Sequence, residues 1–237
     1  MKKLAGSIIF ICIATLSIAC SQGEQQASTG DLMLLYEDSE PGIDAFPTRL
    51  LVNDDFLRMD DGTDDSGYTL FDRQKKIIYS VSHENKMILK LVAKETKQRL
   101  QRKLVMNARK LEDSGMPDID GKKAIHYQLT VNDKLCANVI AIKGLHVKAV
   151  RALNEFRRVM VNVHLKNLAN TPVEMQDECF LAHYIASPSR TLQFGLPVLE
   201  QDVRGLSRLL IDYKDNMKVN PLIYTLPEGY EYTSKGS

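Results

Sequence analysis

The sequence predicts an α+β fold: a meander of antiparallel strands, then two helices, then strands that return to the sheet. Three observations carry this expectation. Short β-rich runs separated by polar turns fill the first half of the chain. Apolar residues recur at helical spacing after Gly144, and the tetrapeptide T-P-V-E opens a second helical stretch at Thr171. Strand-like patterning then resumes near Leu206. With 237 residues, 44% of them hydrophobic, the chain can bury one sizeable core. It shows no internal repeat, so a single domain over 31–237 is expected.

Leu32 to Tyr36 is a short apolar run suited to a first strand, and Pro41-Gly42 makes a turn after it. The arms RLLV and FLRM flank Asn53-Asp54-Asp55, residue types that tolerate turns, and so form a hairpin. Strands follow at Tyr68–Phe71, Ile77–Val81 and Met87–Val92, with Tyr79, Val81, Met87, Leu89 and Leu91 expected on the inner face. Lys94 to Lys103 is charged and reads as an edge or exposed connection. A strand over Leu104–Leu111 and a hairpin pairing Ala124–Val131 with Leu135–Ile142 complete the meander.

Val150, Leu153, Phe156, Met160, Val163 and Leu168 then define an amphipathic helix, with Arg151, Arg157, Arg158 and Lys166 mostly on other faces. In the second helix Thr171 is the expected N-cap, Pro172 the first helical residue and Glu174 the capping-box acid. Its end is expected near Ala186, before Ser187-Pro188.

The N-terminus sets the address. Lys2 and Lys3 precede an apolar stretch from Ile8 to Ile18, which is too short to span a bilayer and has the form of an export signal. Residues 1–19 are read as that signal and 20–30, polar and small, as a flexible tether. Cys12 leaves with the signal. Leu16-Ser17-Ile18-Ala19-Cys20 resembles the lipobox of bacterial lipoproteins, which implies palmitate-type acylation of Cys20 and, with Ser21 next, the periplasmic face of the outer membrane.

Two cysteines remain, Cys136 and Cys179. In an oxidising compartment they suggest one disulfide, the alternative being two separate buried thiols.

The charge balance and the motifs restrict function. The formal charge of +1 becomes −1 once Lys2 and Lys3 are removed, which gives no field to gather nucleic acid. The histidines His83, His126, His146, His164 and His183 lack zinc-site spacing. No GxSxG, phosphate loop or GxGxxG is present, so no cofactor, metal or catalytic residue is assigned. Asp60 to Gly67 holds four carboxylates and two glycines without the EF-hand pattern, and reads as a solvated turn.

RLLVNDDFLRMDDG, GYTLFDRQKKIIYSV, the hairpin from IDGKKAIHYQLTV to CANVIAI, and the closing PLIYTLPEGYEY together resemble the LolA/LolB-like lipoprotein-carrier family of the bacterial envelope. That resemblance implies a curved antiparallel sheet, an open half-barrel with two or more helices packed in or over its concave face. The family's cavity accepts acyl chains. A chain with no Trp, 7% aromatic residues and a helix tied to the sheet departs from a dedicated carrier, so the fold is carried over and lipid transport is not.

The expected protein is therefore a non-catalytic, lipid-anchored binding or assembly module. Its expected partners are the membrane through Cys20, a lipid or other apolar ligand, and an envelope protein. The alternative is an envelope hydrolase with an unrecognised active site, recognisable by a histidine within hydrogen-bond reach of a serine or cysteine and an acid.

Overall fold

The computed structural model describes residues 30–92, 100, 102–111, 115–168 and 171–234. The expected signal, Cys20, the expected tether up to Thr29 and most of the charged 94–103 stretch lie outside them.

Among the described residues twelve strands form one open sheet. In chain order they are β1 (Asp31–Ser39), β2 (Phe46–Val52), β3 (Phe56–Asp60), β4 (Tyr68–Asp72), β5 (Ile77–Ser82), β6 (Met87–Val92), β7 (Met106–Lys110), β8 (Ala124–Val131), β9 (Lys134–Ile142), β10 (Leu196–Asp202), β11 (Ser207–Met217) and β12 (Glu231–Ser234). Across the sheet the order is β12-β6-β5-β4-β3-β2-β1-β11-β10-β9-β8-β7. All neighbours are antiparallel except β12, which runs parallel to β6 and is its outer partner. The returning strands β10 and β11 join the two meanders by pairing with β9 and β1.

The expected α+β balance is overturned, because the molecule is predominantly β. Among the described residues only two segments are α-helical, α1 (Val147–Leu168) and the single turn α2 (Glu178–Phe180). The second helix does not start at Thr171, because Pro172 keeps ψ at 142° and T-P-V-E yields a 3-10 turn over Val173–Met175. Asp177 is the working cap, its carboxylate accepting from the Phe180 amide at 2.8 Å. The chain then widens into π turns over Leu181–Ala186 and stops at Ser187, where the sequence places the end. Strand β10 is an addition to the elements that the sequence patterning predicts.

Parity along the strands assigns the core. Leu32, Leu34 and Tyr36 of β1 share a buried cluster with Leu50 and Val52 of β2, Leu57, Phe71, Ile78 and the α1 residues Ala149, Ala152, Leu153 and Val159. Met33, Leu51, Tyr68, Leu70, Val81 and Ile88 point the other way, and the segment after β11 covers them with Val219, Ile223, Tyr224 and Leu226. This half of the sheet is therefore buried on both faces.

That explains a misassigned register. Val81 pairs with Ile88 and Ile78 with Leu91, so Tyr79 and Val81 lie opposite to the face of Leu89 and Leu91. Apolar side chains at both parities cannot reveal a face from sequence. Between the 3-10 turn Leu192–Phe194 and β10, Gly195 adopts φ +120°, and a Cβ there would stand 2.2 Å from the Ile142 carbonyl oxygen of β9.

Candidate functional site

A cavity of about 390 Å³ lies between α1, the Glu178–Ala186 segment and strands β9, β10, β11 and β1, within the size range of small-ligand sites. One stripe of α1 supplies Leu153, Phe156, Arg157, Met160 and His164, at the i, i+3, i+4 spacing of neighbours on one helix face. Phe156 is held edge-on to Phe71 at 5.8 Å between ring centroids. Met59 of β3 extends the apolar wall.

The floor is a row of registered neighbours, Val139, Glu200, Arg208 and Asp38, one from each of β9, β10, β11 and β1. A register shift between Pro197 and Leu199 sets Val139, rather than Asn138, beside Glu200.

Three charges of alternating sign thus stand side by side on adjacent strands, and α1 adds a fourth. Arg208 binds Asp38 through Nε at 2.7 Å and Nη2 at 2.6 Å, and Thr48 donates to the same carboxylate at 2.7 Å. Arg157 reaches from α1 to Glu200 at 3.0 Å and to the Thr191 hydroxyl at 2.6 Å. Burial alone would raise the Glu200 carboxyl; Arg157, His183, the Thr191 hydroxyl and Arg208 together outweigh it and hold the group at about 2.

The Glu178–Ala186 segment roofs the cavity with His183 and Tyr184. The Cys136–Cys179 disulfide, with 5.2 Å between Cα atoms, ties this segment to β9. Its other side packs on the end of α1, where Leu181 and Ile185 meet Leu165 and Leu168, and His164 lies between the rings of Phe180 and Tyr184 at 5.6 and 5.3 Å.

Burial depresses His183 to about 4; Glu200 opposes the shift, while Arg157 and Arg190 add to it. His164 and His146 are also lowered, chiefly by burial.

A pH dependence of stability follows. Between the ordinary histidine value of 6.5 and about 4, the unfolded chain binds a proton at His183 that the folded chain refuses. Stability is therefore full above about pH 6.5 and falls as the pH drops toward 4, by on the order of 3 kcal/mol from this group. The Glu200 contribution goes later, between its ordinary value of 4.5 and about 2. Urea unfolding from pH 8 to pH 4 checks this, and His183→Gln should flatten the slope between 6.5 and 4.

The remaining histidines serve structure. His83 Nδ1 meets the Tyr230 hydroxyl at 2.8 Å, His126 meets Asn138 at 3.1 Å, and His146 faces Asp215 at 3.3 Å. Among the described residues no histidine is hydrogen-bonded to a serine or cysteine, and no group of three His, Cys, Asp or Glu could hold a metal. The acidic turn divides in two. Asp60, whose side chain is fully buried, is clasped by Arg49 at 2.8 Å and Arg58 at 2.7 Å, so it is no solvated acid. Asp61 accepts from the Thr63 amide and hydroxyl and from Ser66.

Of the residues singled out from sequence, Cys136 and Cys179 border the site and Cys20 falls outside the described residues. Asp38, Glu200 and Arg208 were missed. A signal existed for one of them: Asp38 continues the alternation Leu32, Leu34, Tyr36, so a carboxylate occupies a core-facing parity.

No family model matches the chain and no curated protein does. Solved structures that align include PNGF-II, at 11% identity and a TM-score of 0.41, over 86% of this chain and 31% of that one. An uncharacterised conserved protein from Thermus thermophilus aligns at 7% identity and a TM-score of 0.41, over 87% of this chain and 91% of its own. The chain spans about a third of the length of PNGF-II. No helix among the described residues is long and apolar enough to cross a membrane.

Proposed function

We propose that this chain is a lipid-anchored lipoprotein of the periplasmic face of the outer membrane, whose domain acts as a non-catalytic module binding an apolar ligand. The observation that carries the binding reading is the cavity between α1 and the sheet, with Met59, Leu153, Phe156 and Met160 on its wall. The export signal ending at Cys20 supports the address. Acylation at Cys20 would keep the cavity within tether reach of a bilayer, the source of apolar molecules in that compartment.

Two measurements test the two halves. Cells fed labelled palmitate should label the full chain and not its Cys20→Ala variant, which should leave the membrane fraction; label that persists in the variant removes the anchor. Solvent extraction and mass spectrometry of the purified full-length Cys20→Ala chain should recover an apolar molecule. A chain that carries none and does not bind the uncharged fluorophore N-phenylnaphthylamine would overturn the binding reading.

A further inference from the structure

The cavity is apolar on one side and charged on the other, and the charges on its floor are already paired. Four carboxylates line it, those of Asp38, Glu40, Glu200 and Asp202, against the guanidiniums of Arg157 and Arg208. Asp38 is taken by Arg208 and Glu200 by Arg157. Asp202 is held by Arg204, from outside the lining, at 2.6 Å. Glu40 is exposed. Resting on the binding reading above, we infer that the site selects an uncharged, hydroxyl-bearing acyl amphiphile of the monoacylglycerol kind.

The physical argument is one of exclusion and accommodation. An anionic head would enter a wall where carboxylates outnumber guanidiniums, and each guanidinium already faces a carboxylate. A cationic head on the floor would have to draw Asp38 or Glu200 from its arginine, which leaves a half-buried positive charge uncompensated, and the exposed Glu40 offers it only a solvent-screened contact. An uncharged head opens neither pair. It can use the His164 and His183 rings and the Ser39 and Ser207 hydroxyls that line the same cavity. Burial keeps both histidines uncharged near neutral pH, so they present one donor and one acceptor each. The tail then lies along Leu153, Phe156 and Met160, away from the ionic floor.

Tail length must be held constant to test the head. With N-phenylnaphthylamine bound to the full-length Cys20→Ala chain near neutral pH, glycerol monolaurate should displace the fluorophore at about tenfold lower concentration than laurate or dodecylammonium. Equal or better competition by either charged competitor overturns the inference and leaves the binding reading standing. Failure of every competitor, together with failure of the fluorophore to bind, overturns both. The charge row offers a second readout. Glu200→Gln frees Arg157, and Asp38→Asn frees Arg208, so each variant should gain affinity for laurate by about tenfold relative to glycerol monolaurate. An unchanged order of preference in both variants, each confirmed folded by its unfolding transition, overturns the inference as well.

Discussion

Replacing Cys136 and Cys179 together by serine lowers the stability of the domain by about 4 kcal/mol, the loop-closure entropy of a crosslink spanning 43 residues. The effect is local as well as global. The bridge ties β9 covalently to the segment that roofs the cavity, which is held further by its packing on Leu165 and Leu168 and by Glu178, which accepts from Asn132 at 2.9 Å and pairs with Arg102 at 3.5 Å. Two readouts separate the contributions. Urea unfolding gives the loss in stability, and limited proteolysis should cut the reduced or double-serine chain between Gln176 and Ser187, where the disulfide-bonded chain resists. An unchanged denaturation midpoint would mean that noncovalent contacts alone hold the roof.

The second large effect is expected at the ion pair over the floor. Arg157→Met leaves Glu200 with the Thr191 hydroxyl and with Arg208, which is already committed to Asp38. Stranding a fully buried charge costs about 3–5 kcal/mol. Here the side chains keep 20% and 18% of their exposure, so solvent screens the stranded carboxylate and the expected loss is about 2–3 kcal/mol. Arg157→Met combined with Glu200→Leu removes both charges and should recover most of that loss, because an apolar pair of similar volume is tolerated where a lone charge is not. A double variant as unstable as Arg157→Met would show that packing, and not charge, dominates at this position.

Much of the outline was legible locally. The hairpin turning at Asn132-Asp133, where both residues adopt positive φ, follows from residue types that accept that conformation. Helix α1 follows from the spacing of Val150 to Leu168. The second helix was not legible, because T-P-V-E satisfies a local rule while the backbone at Pro172 stays extended, and Asp177 caps a shorter turn. The fold class went wrong for a related reason. One helix of 22 residues and a brief α turn do not balance a sheet of twelve strands.

The candidate site divides along the same line. Composition and the order of residues along the chain carry the expectation of an export signal and of acylation at Cys20, and they show the cysteine pair Cys136 and Cys179 and the alternation of most strands, since each is a matter of neighbours in sequence. Only the tertiary structure placed Asp38, Arg208 and Glu200 on adjacent strands and brought Arg157 down onto them. Asp38 and Arg208 stand 170 residues apart, and their meeting depends on the pairing of β1 with β11. Such a register is set by the burial of whole strand faces, a sum over many distant contacts that no local pattern encodes.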